Sequence, residues 1–304
     1  MEEQRKQYPD NAFKPLDLHY IKTGAAPEGS VVRFEYDTKN HLKDDGKTYR
    51  KSALVYLPAG YDGEDASKRY NVLYLMHGGS DSPEWYLGSE HGSSQITRML
   101  DNLIGKGDIE PVIICAVSYY NDYCEDATTN CKGFWQELTE DIMPVFETQY
   151  RTYAKDVTPD DFKDTRRHRA FGGFSMGAAA TWGVFEHCLD SVAYYLPMSG
   201  DCWALGMKAG GTQPDATAKY LADAVKASGW SKNDYYIYSG CGSKDIAEPN
   251  LTPQVEAMKK MTDAFVWCDN FADGNLYECI IENGGHDVNT VIRVMFNGLP
   301  KMFG

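Results

Sequence analysis

Gly173-Phe174-Ser175-Met176-Gly177 has the G-x-S-x-G spacing of a serine nucleophile set on a sharp turn. At average glycine and serine usage the pattern arises by chance in roughly one chain of ten at this length, so its surroundings carry the argument. Arg169–Phe174 reads as a strand and Met176–His187 as an alanine-rich helix. A serine between them stands exposed on the strand-to-helix turn. Small flanking residues let the two backbones approach, and the helix N-terminus adds a partial positive charge. The chemistry such a serine performs is nucleophilic acyl transfer.

The hydroxyl needs a base, and in an α/β-hydrolase arrangement the chain order is Ser, then acid, then His. Of seven histidines only His187 and His286 follow Ser175. His187 is twelve residues along the elbow's own helix, about 18 Å away at 1.5 Å per residue, far outside hydrogen-bond reach. His286 remains, in the loop Asn283-Gly284-Gly285-His286-Asp287 after a strand at Leu276–Ile281. The acid that orients it is expected to be Asp245, at the carboxyl end of a strand at Tyr235–Tyr238, with Glu248 as close rival and Asp201 behind. Two backbone amides should receive the oxyanion. One is Met176, after the nucleophile, and the other Gly79, in Met76-His77-Gly78-Gly79-Ser80 after an early strand.

The elements that must position these residues are legible as periodicities. Asn71–Met76 and Pro111–Val117 are short continuous apolar runs, as in strands buried on both faces of a parallel sheet. Val31–Tyr36 and Ser52–Leu57 read as antiparallel neighbours, and Val192–Leu196 as a later strand. Trp135, Leu138, Ile142, Val145 and Phe146 predict one helix face running to about Tyr150; Val255, Met258, Met261 and Phe265 predict another. The alternation implies an α/β fold, a mostly parallel central sheet with helices on both faces. Residues 1–30, punctuated by prolines, read as an extended lead-in, and 31–304 as one α/β-hydrolase catalytic domain.

The 304 residues carry 30 basic and 44 acidic side chains, a formal net charge of −14. That surface repels phosphate backbones and anionic headgroups, so neither nucleic acid nor membrane is expected as a partner. The segment Met1–Gln7 lacks the apolar core of a signal peptide. The expectation is a secreted protein whose leader is absent here, with a cytoplasmic location as the alternative. Eight cysteines without a CxxC or a Cys/His cluster argue against a metal site; Cys124 and Cys131, flanking a polar loop, are the best candidates for a disulfide.

With these parts in order, the chain resembles carbohydrate esterase family 1, the branch holding feruloyl and acetylxylan esterases. The resemblance covers about residues 45–300. It rests on Leu57-Pro58-Ala59-Gly60-Tyr61, the stretch Tyr70–Gly79, Glu137–Pro144, the elbow, Gly242-Ser243-Lys244-Asp245 and His286-Asp287. It implies Ser175, Asp245 and His286 as a triad and Gly79 and Met176 as oxyanion donors, without metal or organic cofactor. Phe174 stands where the family often has leucine, a change expected to affect packing alone.

The function implied is release of hydroxycinnamate (feruloyl) groups from plant cell-wall xylan or its oligosaccharides. Acetylxylan esterase, an S-formylglutathione-hydrolase-like thioesterase and an inactive carbohydrate-binding hydrolase module are the alternatives. Feruloylated or acetylated xylan is the expected partner. Trp203, Trp85, Tyr86, Tyr119 and Tyr120 are candidate surfaces for stacking an aromatic ring or a sugar.

Overall fold

A strand that buries both faces must be apolar at every position, and the central runs of this chain meet that demand. The computed structural model describes residues 14–63, 65–268 and 272–304. Its strands are β1 (Ser30–Lys39), β2 (Thr48–Leu57), β3 (Asn71–Met76), β4 (Val112–Val117), β5 (Arg169–Phe174), β6 (Tyr194–Met198), β7 (Tyr236–Gly242) and β8 (Leu276–Ile281). They pair in the order β1-β2-β4-β3-β5-β6-β7-β8. The β1/β2 and β2/β4 pairs are antiparallel, and every pair from β4 through β8 is parallel. This is the mostly parallel sheet that the apolar runs imply.

The helices are α1 (Glu84–Leu87), α2 (Gln95–Gly105), α3 (Ala127–Glu137), α4 (Met143–Gln149), α5 (Pro159–Asp164), α6 (Met176–His187), α7 (Ala209–Thr212), α8 (Pro214–Ser228), α9 (Glu248–Met258) and α10 (Val288–Phe303). Alternate residues of β3 enter different cores. Val72, Tyr74 and Met76 belong to a core shared with side chains of α3, α4, α6, α8 and α9, while Leu73 and Leu75 belong to one shared with α1, α2 and α10. Helices therefore cover both faces.

Several sequence expectations are corrected. Residues 1–13 of the expected lead-in lie outside the described residues, and 14–29 include a 3-10 turn, Leu18–Ile21, capped by Asp17. The strand expected at Val192–Leu196 begins at Tyr194, and the one at Tyr235–Tyr238 runs on to Gly242. The helix expected to run to Tyr150 is interrupted by a π-turn, Leu138–Ile142. A π-turn takes more residues per revolution and so rotates the buried face. Phe134, Leu138, Ile142, Met143 and Phe146 are buried, while Val145 stays 37% exposed. The second predicted face is also cut short: α9 ends at Met258, and Phe265 reaches the core from the turns beyond it.

Cys124 and Cys131 do not bridge; all eight cysteines are free thiols. Asp126 caps α3 one residue before Ala127, and the helix then turns Cys131 inward. Its thiol donates to the Met176 carbonyl at 2.8 Å, whereas the Cys124 thiol lies 3.8 Å from the Asp126 carbonyl.

Candidate active site

Ser175 sits between β5 and α6 with φ 57° and ψ −115°, a conformation that non-glycine residues adopt only where the surroundings enforce it. Two glycines make room for the turn. A Cβ on Gly173 would lie 2.4 Å from the Gly177 carbonyl, and one on Gly177 would lie 2.1 Å from the Met76 carbonyl. The base of β5 is anchored by a buried fork. Arg169 donates to both oxygens of Glu147, at 2.6 and 2.9 Å, and the Tyr74 hydroxyl donates to the same carboxylate at 2.8 Å.

Three side chains form a continuous line at the sheet's carboxyl edge. The Ser175 hydroxyl donates to His286 Nε2 at 2.9 Å, and His286 Nδ1 donates to Asp245 Oδ1 at 2.7 Å. An ionised carboxylate only accepts, so the imidazole proton resides on Nδ1 and Nε2 is free to take the serine's proton. The same Asp245 oxygen accepts the Ala247 amide at 2.8 Å. Burial raises the Asp245 carboxyl, but the bond from His286, the Ser199 hydroxyl and the Ala247 amide together hold it below the ordinary carboxylate value. Ser199 is itself buried at φ 56°; its Oγ and Asp245 Oδ2 each lack a partner within ordinary bond length.

Backbone bonds tie the Asp245 loop to the His286 loop. Lys244 donates to the Gly284 carbonyl at 2.9 Å and Ser243 to the Ile281 carbonyl at 2.9 Å. Asp287, directly after the histidine, caps α10 by accepting the Thr290 amide at 3.0 Å. The rivals lie elsewhere. Asp201 accepts from Trp203 Nε1 at 3.2 Å and from the Gly210 amide at 2.9 Å, and Glu248 opens α9 with no bond to His286. His187, at the far end of α6, stacks on Trp135.

Met176 is the first residue of α6, and its amide and that of Gly79 have no acceptor among the described residues. The two positions adjoin: a Cβ on Gly79 would meet Met176 Sδ at 3.1 Å. A pair of free amides beside the Ser175 hydroxyl can receive negative charge on a substrate oxygen.

The five aromatic candidates divide. Tyr86 and Tyr119 are buried, with 0% and 1% exposure, and present no face to a ligand; for these two the stacking expectation is corrected. The cause is a buried acceptor for each hydroxyl: Tyr86 donates to the Met76 carbonyl and Tyr119 to the Gly78 carbonyl. Tyr120 is exposed, and Trp85 and Trp203 are half-buried. The sequence reading also missed Phe174. Its ring lies 4.5 Å from the His286 ring and stacks on Trp85 at 5.0 Å, so the change from leucine touches the imidazole as well as the packing. Its place beside Ser175 was the available signal.

Comparison with known proteins gives concordant results. The family model Esterase matches residues 49–287. A serine-to-alanine mutant of the feruloyl esterase module from Clostridium thermocellum, complexed with sinapinate, is 33% identical, with a TM-score of 0.82 over 98% of this chain and 95% of that one. Endo-1,4-beta-xylanase Y of Acetivibrio thermocellus is 36% identical over 96% of this chain, which spans 24% of that relative's length. A ferulic acid esterase from Anaeromyces mucronatus, 18% identical with a TM-score of 0.65 over 95% of this chain and 96% of that one, shares the fold.

Proposed function

Since the chain belongs to the esterase family and is a carboxylic ester hydrolase, we propose that it releases hydroxycinnamoyl groups, feruloyl foremost, from xylan or xylo-oligosaccharides. The observation that carries the mechanism is the unbroken Ser175–His286–Asp245 line at a strained elbow. Ser175 Oγ attacks the ester carbonyl carbon as its proton passes to His286 Nε2. The carbonyl oxygen becomes an oxyanion held by the amides of Gly79 and Met176. The sugar hydroxyl leaves with the proton from His286, and a water activated by the same imidazole releases the acid.

The acyl preference is supported by the similarity to a module complexed with sinapinate, itself a hydroxycinnamate. The glycan preference is supported by the similarity to a xylanase. Trp203, Trp85 and Tyr120 are the aromatic surfaces left for binding. Polymeric xylan does not cross membranes, so action on the polymer requires a reaction outside the cell.

The test is a hydrolysis panel of methyl ferulate, acetylated xylan and an acyl-glutathione thioester. The expected outcome is fastest turnover of the ferulate and no acylation burst with Ser175→Ala, whose fold is unchanged by circular dichroism. Faster release of acetate or thiol overturns the acyl assignment. Near-wild-type turnover by Ser175→Ala overturns the site.

A further inference from the structure

The two side chains that hold the Gly78 carbonyl lie outside the triad, and they converge on the peptide whose other end is the Gly79 amide. The His77 Nδ1 proton reaches that carbonyl at 2.7 Å, and the Tyr119 hydroxyl reaches it at 2.9 Å. Both side chains are buried. We propose that His77 and Tyr119 are positioning residues that aim and polarise the Gly79 N–H as an oxyanion donor. The proposal rests on the acyl-transfer reading above and concerns how its oxyanion hole is held.

The geometry follows from peptide planarity. None of the described peptide bonds is cis, so the Gly78 C=O and the Gly79 N–H lie in one plane and point in opposite directions. Two donors gripping the carbonyl from the protein side thus fix the direction of the amide on the other side. They also draw electron density toward the oxygen, which strengthens the amide as a donor. Without such a grip, a Gly-Gly peptide rotates readily about its flanking φ and ψ angles.

The clamp has defined proton positions. A carbonyl only accepts, so His77 carries its proton on Nδ1, and its Nε2 accepts from the Ser118 hydroxyl at 2.8 Å. That hydroxyl accepts the Tyr120 amide at 3.2 Å. Burial pushes the His77 imidazole below its ordinary value, against the pull of the Gly78 carbonyl, which keeps the ring neutral. Behind it, half-buried Lys51 donates to the Ser118 carbonyl at 2.8 Å and pairs with Glu137 at 2.7 Å. Beyond the glycines, the Ser80 amide donates to the Tyr120 hydroxyl at 2.8 Å. The loop after β4 therefore grips the loop after β3 at three points. The parallel register that sets Met76 opposite Val117 brings His77 to Ser118.

The Tyr119 hydroxyl also lies 3.5 Å from Sδ of Met176, the residue that carries the other donor amide. Tyr119→Phe removes one of two donors to the carbonyl and keeps the ring. The probes are (E)-styrylboronic acid, which forms a tetrahedral anionic adduct on Ser175, and free ferulate, whose planar carboxylate forms no such adduct. The expected result is a fall of about tenfold in kcat for methyl ferulate and a parallel rise in the boronate Ki, with KM and ferulate Kd within about twofold. Thermal unfolding under the same conditions separates this from a fold defect. If the variant melts earlier while kcat and boronate Ki hold, Tyr119 is structural and the proposal is overturned. If the wild type itself shows no preference for boronate over ferulate, the acyl-transfer reading fails first and takes the clamp with it.

Discussion

Replacing Asp245 with asparagine isolates the charge of the acid from its shape. The Asp245 oxygen that accepts from His286 also accepts the Ala247 amide, so an asparagine oxygen placed there keeps both bonds and leaves the imidazole where it is. What is lost is the attraction between a carboxylate and the imidazolium that forms as Ser175 attacks. With a 2.7 Å Nδ1–Oδ1 contact the charge centres are about 4 Å apart, worth about 4 kcal/mol at an effective dielectric near 20. At 1.36 kcal/mol per decade, kcat should fall about a thousandfold. Stopped-flow acylation with an aryl ester measures it, with circular dichroism to verify the fold and Glu248→Gln as a parallel variant expected to keep wild-type kcat. A loss below about tenfold in Asp245→Asn, or an equal loss in Glu248→Gln, would refute the reasoning, because the stabilising charge would then reside elsewhere.

Gly177→Ala should lower stability by about 3 kcal/mol in urea unfolding, because its Cβ would press on the Met76 and His77 carbonyls at 2.1 and 2.8 Å. Gly183→Ala, whose Cβ would meet only the Lys132 carbonyl at 3.3 Å, should stay within about 1 kcal/mol of wild type. Glu278 is buried with Thr252 as a partner, and burial pushes its carboxyl from 4.5 up to about 7. The unfolded chain ionises first, so the contribution of Glu278 to stability should decline by about 3 kcal/mol as pH rises from 4.5 to 7 and level off above, a difference that chemical denaturation of wild type against Glu278→Gln should show across that range. Reducing agent should leave the Tm unchanged and a thiol titration of the denatured chain should count eight; a lower count would reveal a bridge.

The local parts of the site were open to inspection in the chain itself. An elbow is a strand, a turn and a helix in immediate succession, and glycines at 173 and 177 sit where backbones must nearly touch, so Ser175 was visible from spacing. Chain order and helix rise then reduced seven histidines to His286. The continuous apolar runs of β3 and β4 declared a parallel sheet because strands covered on both sides have no polar face to show. Asp245 against Glu248 was less clear, since both follow β7 closely in the chain and only the direction of approach to the imidazole separates them.

Tertiary structure decided whatever depended on which distant segments meet. The π-turn at Leu138–Ile142 turned the buried face away from Val145, a rotation that helical periodicity has no means to encode. Helix α3 drew Cys131 inward to the Met176 carbonyl and away from Cys124, so an even count of cysteines produced no bridge. Tyr86 and Tyr119, which sequence position offered as ligand platforms, found carbonyl acceptors inside the protein and became part of the frame. The reason is common to all three. A nucleophile's identity follows from local backbone geometry, whereas the orientation of a side chain follows from the partners that the sheet register brings to it.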